Sequence, residues 1–505
     1  MRKESPILIT VLLLFLAISL RSQSYYVSPG GLDTNPGTQD SPFKTITRAV
    51  SLAAPGVTIY VRGETFAIKT PITISKSGTS ALRIGLLAYP GEHPILDGDS
   101  MAVGSNNRVI NLSGNYWTIS GLEIMRAGDN GMRITGSNNV VEGCSFHDNS
   151  DTGLQLDNGA SLNQVINCDS YNNVDSSQGN ADGFAAKLGV GTGNNFIGCR
   201  AWYNSDDGWD GYLRGANGVT TTLDRCWSFA NGYLADGSPS SGNGNGFKMG
   251  GSDLKDLEHN MILTRCVAFG NRVKGFDQNN NKGSMTLLNC TGYSNVTNYS
   301  VAQALDSGMT LTLKNCICLG TLGSVGSFAV LATNSWMSPF SVTVEDFAGV
   351  DSVGVRGPRN ADGSLPQLPY LHLAPGSDLI DAGTDVGLPY QGPLPDLGAF
   401  ETDGAVAVGG EPDGLPLAVS LGAYPNPFNP TTTIRYTVAG ARGGSHVQLV
   451  VHDLLGREVA VLVNEPKAPG SYEVIFDARS LASGVYLYTL AGGGYLETRK
   501  LVLMR

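Results

Sequence analysis

Cys199-Arg200-Ala201-Trp202-Tyr203-Asn204 is followed by Cys226-Trp227-Ser228-Phe229-Ala230-Asn231, and both read C-x-x-(aromatic)-x-N. The same pattern opens at Cys144, Cys168, Cys266 and Cys290. His147, Tyr171, Phe269 and Tyr293 hold its ring position, and Asn149, Asn173, Asn271 and Asn295 close it. Cys316 keeps the opening residue only, with Leu319 and Thr321 at the later positions. A second landmark keeps step with the first: Gly131, Gly153, Gly183, Gly208, Gly246 and Gly275 each precede an apolar residue (Met132, Leu154, Phe184, Trp209, Phe247, Phe276). Intervals run mostly from 22 to 31 residues, with one longer insertion before Gly246. Such a unit is too short for a propeller blade and lacks the leucines of a leucine-rich repeat. It suits one coil of a right-handed parallel β-helix, with three short strands per turn. One coil cannot bury its own apolar side chains, whereas stacked coils share a continuous core, with equivalent residues about 4.8 Å apart.

Stacking assigns roles to the repeated residues. Asparagine at a repeated turn is expected to adopt a left-handed conformation and bond to its neighbour in the next coil, as an asparagine ladder. The cysteines would stack inside as small hydrophobes, a buried ladder of free thiols. Disulfides between neighbouring coils are the alternative for an exported chain. Zinc finds no C-x-x-C pair, the close pair being Cys316 and Cys318. Ahead of the repeats, residues 44–54 follow Ser41-Pro42-Phe43, precede Pro55-Gly56, and read as an amphipathic helix capping the open end of the solenoid. Residues 403–417 are rich in Gly, Pro and small residues and read as a linker. Beyond them, segments 434–438, 447–451, 472–476, 485–490 and 498–503 alternate or run apolar, a small β-sandwich over residues 418–505.

The bulk composition agrees with an all-β secreted protein. The chain has 505 residues, 66 of them Gly, and only 15% are charged, which implies two or three folded units and no extensive disorder. A formal net charge of -11 argues against nucleic acid as a partner and would repel a polyanion unless a cation intervened. Arg2 and Lys3 precede an apolar run at 7–20 and small polar residues at 22–24, so residues 1–24 read as a signal peptide. The run is shorter than the ~20 residues a spanning helix needs. No transmembrane segment is expected in the mature protein, which is taken as a monomer.

Chemistry concentrates where acids meet the glycine row. Asp182 precedes Gly183, Asp206 and Asp207 precede Gly208, and Asp210 stands two residues after it. Aligning coils by their glycines puts Asp182 and Asp207 in one row, one coil apart. A lone Asp-Gly is ordinarily a solvated turn. Four converging acids instead call for a hard cation with oxygen ligands, and calcium fits best. One coil on, Lys248 lies two residues after Gly246, in the row of Asp210, about one strand spacing from the acids. It faces them only if the chain bends at the glycine. Lys187, Arg214, Arg272 and Lys274 are candidates for binding other substrate carboxylates, with plain surface charge as the alternative for each. Trp209 and Phe247 are expected to face the core.

Around these residues the chain resembles polysaccharide lyase family nine, the pectate lyases, over about residues 25–402. The resemblance rests on Ala181-Asp182-Gly183-Phe184-Ala185-Ala186-Lys187, Asn204-Ser205-Asp206-Asp207-Gly208-Trp209-Asp210, Asn245-Gly246-Phe247-Lys248-Met249-Gly250-Gly251 and Lys274-Gly275-Phe276-Asp277-Gln278-Asn279. It implies that Asp182, Asp206, Asp207 and Asp210 bind catalytic Ca2+. It also implies that Lys248 is the base in a β-elimination on polygalacturonate, an acidic plant polysaccharide. Calcium beside Lys248 would push its amine below the usual value of about 10.4, so an alkaline optimum is expected. A rhamnogalacturonan lyase on the same fold, a calcium-free pectin hydrolase with paired carboxylates and a non-catalytic β-helix adhesin are the alternatives. The tail resembles the C-terminal sorting domain of the type nine secretion system, through Tyr424-Pro425-Asn426-Pro427-Phe428-Asn429-Pro430, Asp453-Leu454-Leu455-Gly456-Arg457-Glu458-Val459, Ser483-Gly484-Val485-Tyr486 and Lys500-Leu501-Val502-Leu503. That implies export from a Gram-negative bacterium, with release or retention on the outer cell surface.

Overall fold

Short strands recur three to a coil and close three parallel sheets. In the computed structural model these hold twelve, ten and ten strands among the described residues. The structure describes residues 23–402, 420–424, 426, 428–438, 445–453, 457–467, 470–492 and 495–503. The expected signal peptide and linker therefore lie outside the described residues, apart from Gln23 and Ser24, as do Pro425, Pro427, Leu454, Leu455 and Gly456 of the tail motifs. The chain divides into two compact units, Met1–Gly404 and Ala405–Arg505.

In the first unit every rung repeats the last in strict register. In the twelve-stranded sheet Val141, Val165, Phe196, Leu223, Leu263, Leu287 and Leu313 align inward, each at most 1% exposed. Just past that sheet lies the cysteine row. All eight cysteines are free and buried, and all but Cys318 stand in this row, as expected for a thiol ladder. Asn149, Asn173, Asn204, Asn231, Asn271 and Asn295 form a continuous ladder, each side-chain amide donating to the next side-chain oxygen at 2.8–2.9 Å. The left-handed backbone falls one residue earlier than expected, at Asp148, Asn172, Tyr203, Ala230, Gly270 and Ser294. The ladder asparagines are thus chosen for their side chains, which satisfy buried backbone groups, and not for their φ.

The helix is shorter than its pattern, Ile46–Ser51, with Thr45 as N-cap accepting from Arg48 N at 3.1 Å. Past it the chain tightens to i→i−3 bonds, Leu52 N to Ala49 O and Ala53 N to Val50 O, each 3.0 Å. Ile46, Ala49 and Val50 are buried, in contact with the first strands of the solenoid. Aromatic rings from one ten-stranded sheet stack outward as His147, Tyr171, Trp202, Phe229 and Phe269, nearly parallel at 4.5–5.5 Å. Part of that stack lies under a strap within residues 340–400, which packs Tyr370 on Phe269 at 4.8 Å. Arg200 donates to Val355 O and Gly357 O, and with Arg359 it clasps Asp169.

The second unit has antiparallel sheets of three and four strands around one core that includes Ile434, Phe476, Leu449 and Tyr488. The five expected strands are present with longer bounds, for example Thr431–Val438 and Ser445–Asp453. Ser420–Tyr424 and Glu458–Lys467 are strands without a forecast. The second carries bulges that break its alternation.

Candidate active site

The glycine row creates the site. Phe184, Trp209, Phe247 and Phe276 are register partners on successive coils, and their rings stack inside the solenoid at 4.9–5.3 Å. Trp209 and Phe247 thus face the core as expected. The next residues, Ala185, Asp210, Lys248 and Asp277, form the adjacent outward row. Gly208 has no room for a side chain: a Cβ would lie 1.9 Å from Ser228 Oγ and 2.7 Å from Gly246 O. The chain bends there, so residues before the glycine and two after it reach the same space. Lys248 Nζ lies 3.1 Å from Asp207 Oδ2 and 3.3 Å from Asp210 Oδ1.

Asp182, Asp206 and Asp207 each bring a carboxylate oxygen within 4.8 Å of the other two. Asp210 borders this trio without entering it, its Oδ1 accepting from Tyr212 N at 3.0 Å. All four acids are buried, as are Lys187 and Lys248. Asp182 Oδ1 accepts from Asp207 N (3.2 Å), and Asp182 Oδ2 accepts from Thr152 Oγ1 (3.2 Å) and Lys187 Nζ (2.7 Å). Asp207 Oδ1 accepts from Asn245 N at 2.9 Å, and Asp206 Oδ1 accepts from Asn243 N. Asp207 Oδ2 is fully buried and faces Lys248 Nζ.

The electrostatics follow from crowding. Burial, opposed by Lys187 and reinforced by Asp210 and Asp207, lifts the Asp182 carboxyl to about 7. Burial with Asp207 and Asp182 beside it lifts Asp206 to about 9. For Lys248, burial works to lower the amine, but Asp210, Asp207, Asp182 and Asp206 outweigh it and hold it well above its usual range. With all four acids ionised against two ammonium groups, two formal negative charges remain, which a divalent cation would cancel and which in its absence keep Asp182 and Asp206 raised. An all-oxygen donor set and an acid trio within one ion's reach fit a hard divalent ion such as calcium.

The four other cations named from sequence go to different places. Lys187 joins the acids, bonded to Asp182 and 3.5 Å from Asp210 Oδ2. Arg214 pairs with Asp253 at 2.7 Å on the exposed surface. Lys274 pairs with Asp277 at 3.0 Å. Arg272 turns to the Gly242 carbonyl. Sequence reasoning passed over Thr152, which stands before Gly153 in the row of Asp182 and carries the same positional signal. It also passed over Tyr212, whose ring lies 5.7 Å from Lys248 Nζ and whose hydroxyl donates to Asp253.

A parallel solenoid with this acid-and-amine cluster belongs to the polysaccharide lyases, and comparison with known proteins bears that class out. Residues 25–315 match the family described as Pel9A-like, right handed beta helix region, and the chain belongs to that family. Pectate lyase L of Dickeya chrysanthemi is 38% identical over 391 residues, covering 75% of this chain and 90% of the relative. Pectate lyase L of Paenibacillus polymyxa is 40% identical over 395 residues, covering 73% and 85%. The crystal structure of pectate lyase Pel9A superposes with a TM-score of 0.70 at 37% identity, over 75% of this chain and 96% of that one. A rhamnogalacturonan lyase structure gives 0.61 at 26% identity, over 70% and 97%. Residues 422–504 match a secretion system C-terminal sorting domain. Among the described residues no helix is long and apolar enough to cross a membrane.

Proposed function

We propose that this chain is a calcium-dependent pectate lyase that cleaves polygalacturonate by β-elimination, with Lys248 as base and Asp182, Asp206, Asp207 and Asp210 as calcium ligands. The observation that carries it is Lys248 Nζ within 3.3 Å of two of those four acids, beside the trio that can hold one ion. When bound, calcium would draw in the uronate carboxylate, stabilise the charge that develops on it and lower the cost of deprotonating Lys248.

The chain's own residues do the rest. Lys248 in its neutral form takes the C5 proton, the C4–O bond breaks, and a double bond forms between C4 and C5 as the departing oxygen takes up a proton. Asp207 and Asp210 hold the lysine amine at the edge of the acid cage, with the Tyr212 ring 5.7 Å from it. Lys187 is read as a fixed counter-cation for Asp182 and Asp210, since both its contacts are with acids of the cage.

Rhamnogalacturonan carries the same uronate chemistry, and the likeness to a rhamnogalacturonan lyase supports it as the second substrate reading. Ultraviolet absorbance of the unsaturated product tests both. Polygalacturonate with calcium should give a rising signal that a chelator abolishes. A signal on the rhamnogalacturonan backbone alone would move the substrate. Reducing ends released without absorbance, chelator or not, would make the protein a hydrolase. The sorting domain supports passage through the type nine secretion machinery to the medium or outer surface of a Gram-negative cell.

A further inference from the structure

The longer insertion before Gly246 lies directly against the acid cage. A Cβ on Gly242 would sit 2.2 Å from Ser205 O and 2.8 Å from Asp206 Oδ1, so this backbone rests flush on Asp206. The next residue, Asn243, donates its N–H to Asp206 Oδ1, and Asn245 donates to Asp207 Oδ1 at 2.9 Å. Ser240 ties the same stretch down, its backbone N–H donating to Gly232 O at 2.9 Å and its hydroxyl to Ser205 O.

Arg272 sits behind this loop. Its backbone N–H donates to Asn231 O at 3.0 Å, which anchors it beside the asparagine ladder. Its stem fills the gap between the two legs of the loop: a Cβ on Gly232 would lie 2.9 Å from Arg272 Cβ, and one on Gly244 3.0 Å from it. Both glycines have positive φ, 80° and 70°, so the loop closes around this side chain with the backbone that glycine permits. The guanidinium Nη2 donates to the Gly242 carbonyl, while Nε is buried with no partner. A guanidinium set to bind a uronate would keep its fork of donors free; this one is half-buried, with Nε enclosed and Nη2 committed to the Gly242 carbonyl.

We propose that Arg272 is a positioning residue for the cage: it clamps the loop 232–244 so that the Asn243 N–H stays on Asp206 and holds that carboxylate oriented for a divalent cation. The proposal rests on the calcium reading of the site. Partners that orient a metal ligand from behind typically set affinity by about 10- to 100-fold.

Arg272→Met keeps the apolar stem and removes the donor. Calorimetric titration of the full-length variant with calcium alone, without polysaccharide, should show affinity weakened by about 10- to 100-fold. On polygalacturonate at saturating calcium, KM should match the wild type, and kcat should recover as calcium is raised. Unchanged calcium affinity with a raised KM would overturn the proposal and return Arg272 to substrate contact. Arg272→Gln tests the same clamp if Arg272→Met fails to fold, because it is too short to reach the Gly242 carbonyl and leaves the backbone against Asp206 unaltered. Weaker calcium binding at constant KM supports the proposal, and unchanged binding overturns it. A wild-type protein that takes up no calcium would remove the calcium reading itself and this inference with it, a result visible before any variant is compared.

Discussion

Asp210 and Lys248 are register partners on adjacent strands, and their side chains meet at 3.3 Å. Because the coil repeats, two residues 38 apart in sequence (210 to 248) occupy the same outward position one strand spacing apart. Asp207 then reaches the same amine from the other side of Gly208.

Lys248→Ala should lower kcat by about 10²- to 10⁴-fold, the usual worth of a positioned base. Far-ultraviolet circular dichroism should not change, since Lys248 lies outside the stacked core. Calcium should bind at least as tightly, because removing the ammonium leaves Asp207 and Asp210 with less opposing positive charge. A near-wild-type elimination rate would contradict the base assignment.

The pH profile should depend on calcium. A raised amine pKa means the active, neutral fraction of Lys248 grows only as pH climbs through that value. Each positive charge placed among the acids opposes their hold and lowers it. The acidic limb of kcat/KM should therefore shift to lower pH as calcium is raised from limiting to saturating, read as absorbance rates at several pH values. A limb that stays put would mean that Lys248 is not the titrating group or that the ion does not lie beside it.

The asparagine ladder should be as sensitive as the core. Asn204 accepts from Asn173 N and Nδ2 and donates to Asn231 Oδ1 and Ser170 O, with no solvent exposure. Asn204→Ala strands several buried partners at once, each costing about 1–3 kcal/mol. A loss of about 3 kcal/mol in urea unfolding is expected, with a matching fall in Tm. A loss below ~0.5 kcal/mol, the level of an ordinary surface change, would mean that water replaces the ladder freely.

The cage was legible in sequence because a solenoid converts an offset from a landmark into a position in space. Asp182, Asp207, Asp210 and Lys248 follow from Gly183, Gly208 and Gly246 by counting alone. Lys187 did not follow that way. It stands five residues after Asp182 and returns to it through a long flexible side chain, which no row position encodes. Nor does the place of Arg272 follow from an offset: the Gly242 carbonyl it meets belongs to the long insertion before Gly246, which lies outside the repeat. The strap within residues 340–400 has no repeat, so its packing on Phe269 and Trp202 gave no periodic signal. The left-handed row was displaced by one residue because ladder bonding, rather than backbone freedom, selects the asparagine.

His259 offers a stability test separate from turnover. Its Nδ1 lies 2.8 Å from Gly211 O, which can only accept, so Nδ1 carries the hydrogen; Nε2 then accepts from Thr221 Oγ1 at 2.8 Å. Burial pushes the ring down to about 4, despite the Gly211 carbonyl and nearby Asp210. The unfolded chain binds a proton near pH 6.5 that the folded chain refuses until about 4. Stability from this group is complete above about 6.5 and falls as pH drops toward the folded value. Between pH 7.5 and 4.5 it should cost roughly 2–3 kcal/mol. His259→Gln removes that proton uptake while titrating carboxylates act equally on both proteins. In chelated protein, the pH-dependent loss of unfolding free energy should therefore be roughly 2–3 kcal/mol smaller in the variant. Equal losses in the two proteins would mean that His259 is protonated in the fold. The turn after Asp210 would then be held by a charged ring, in place of the neutral one that now fixes the Gly211 carbonyl.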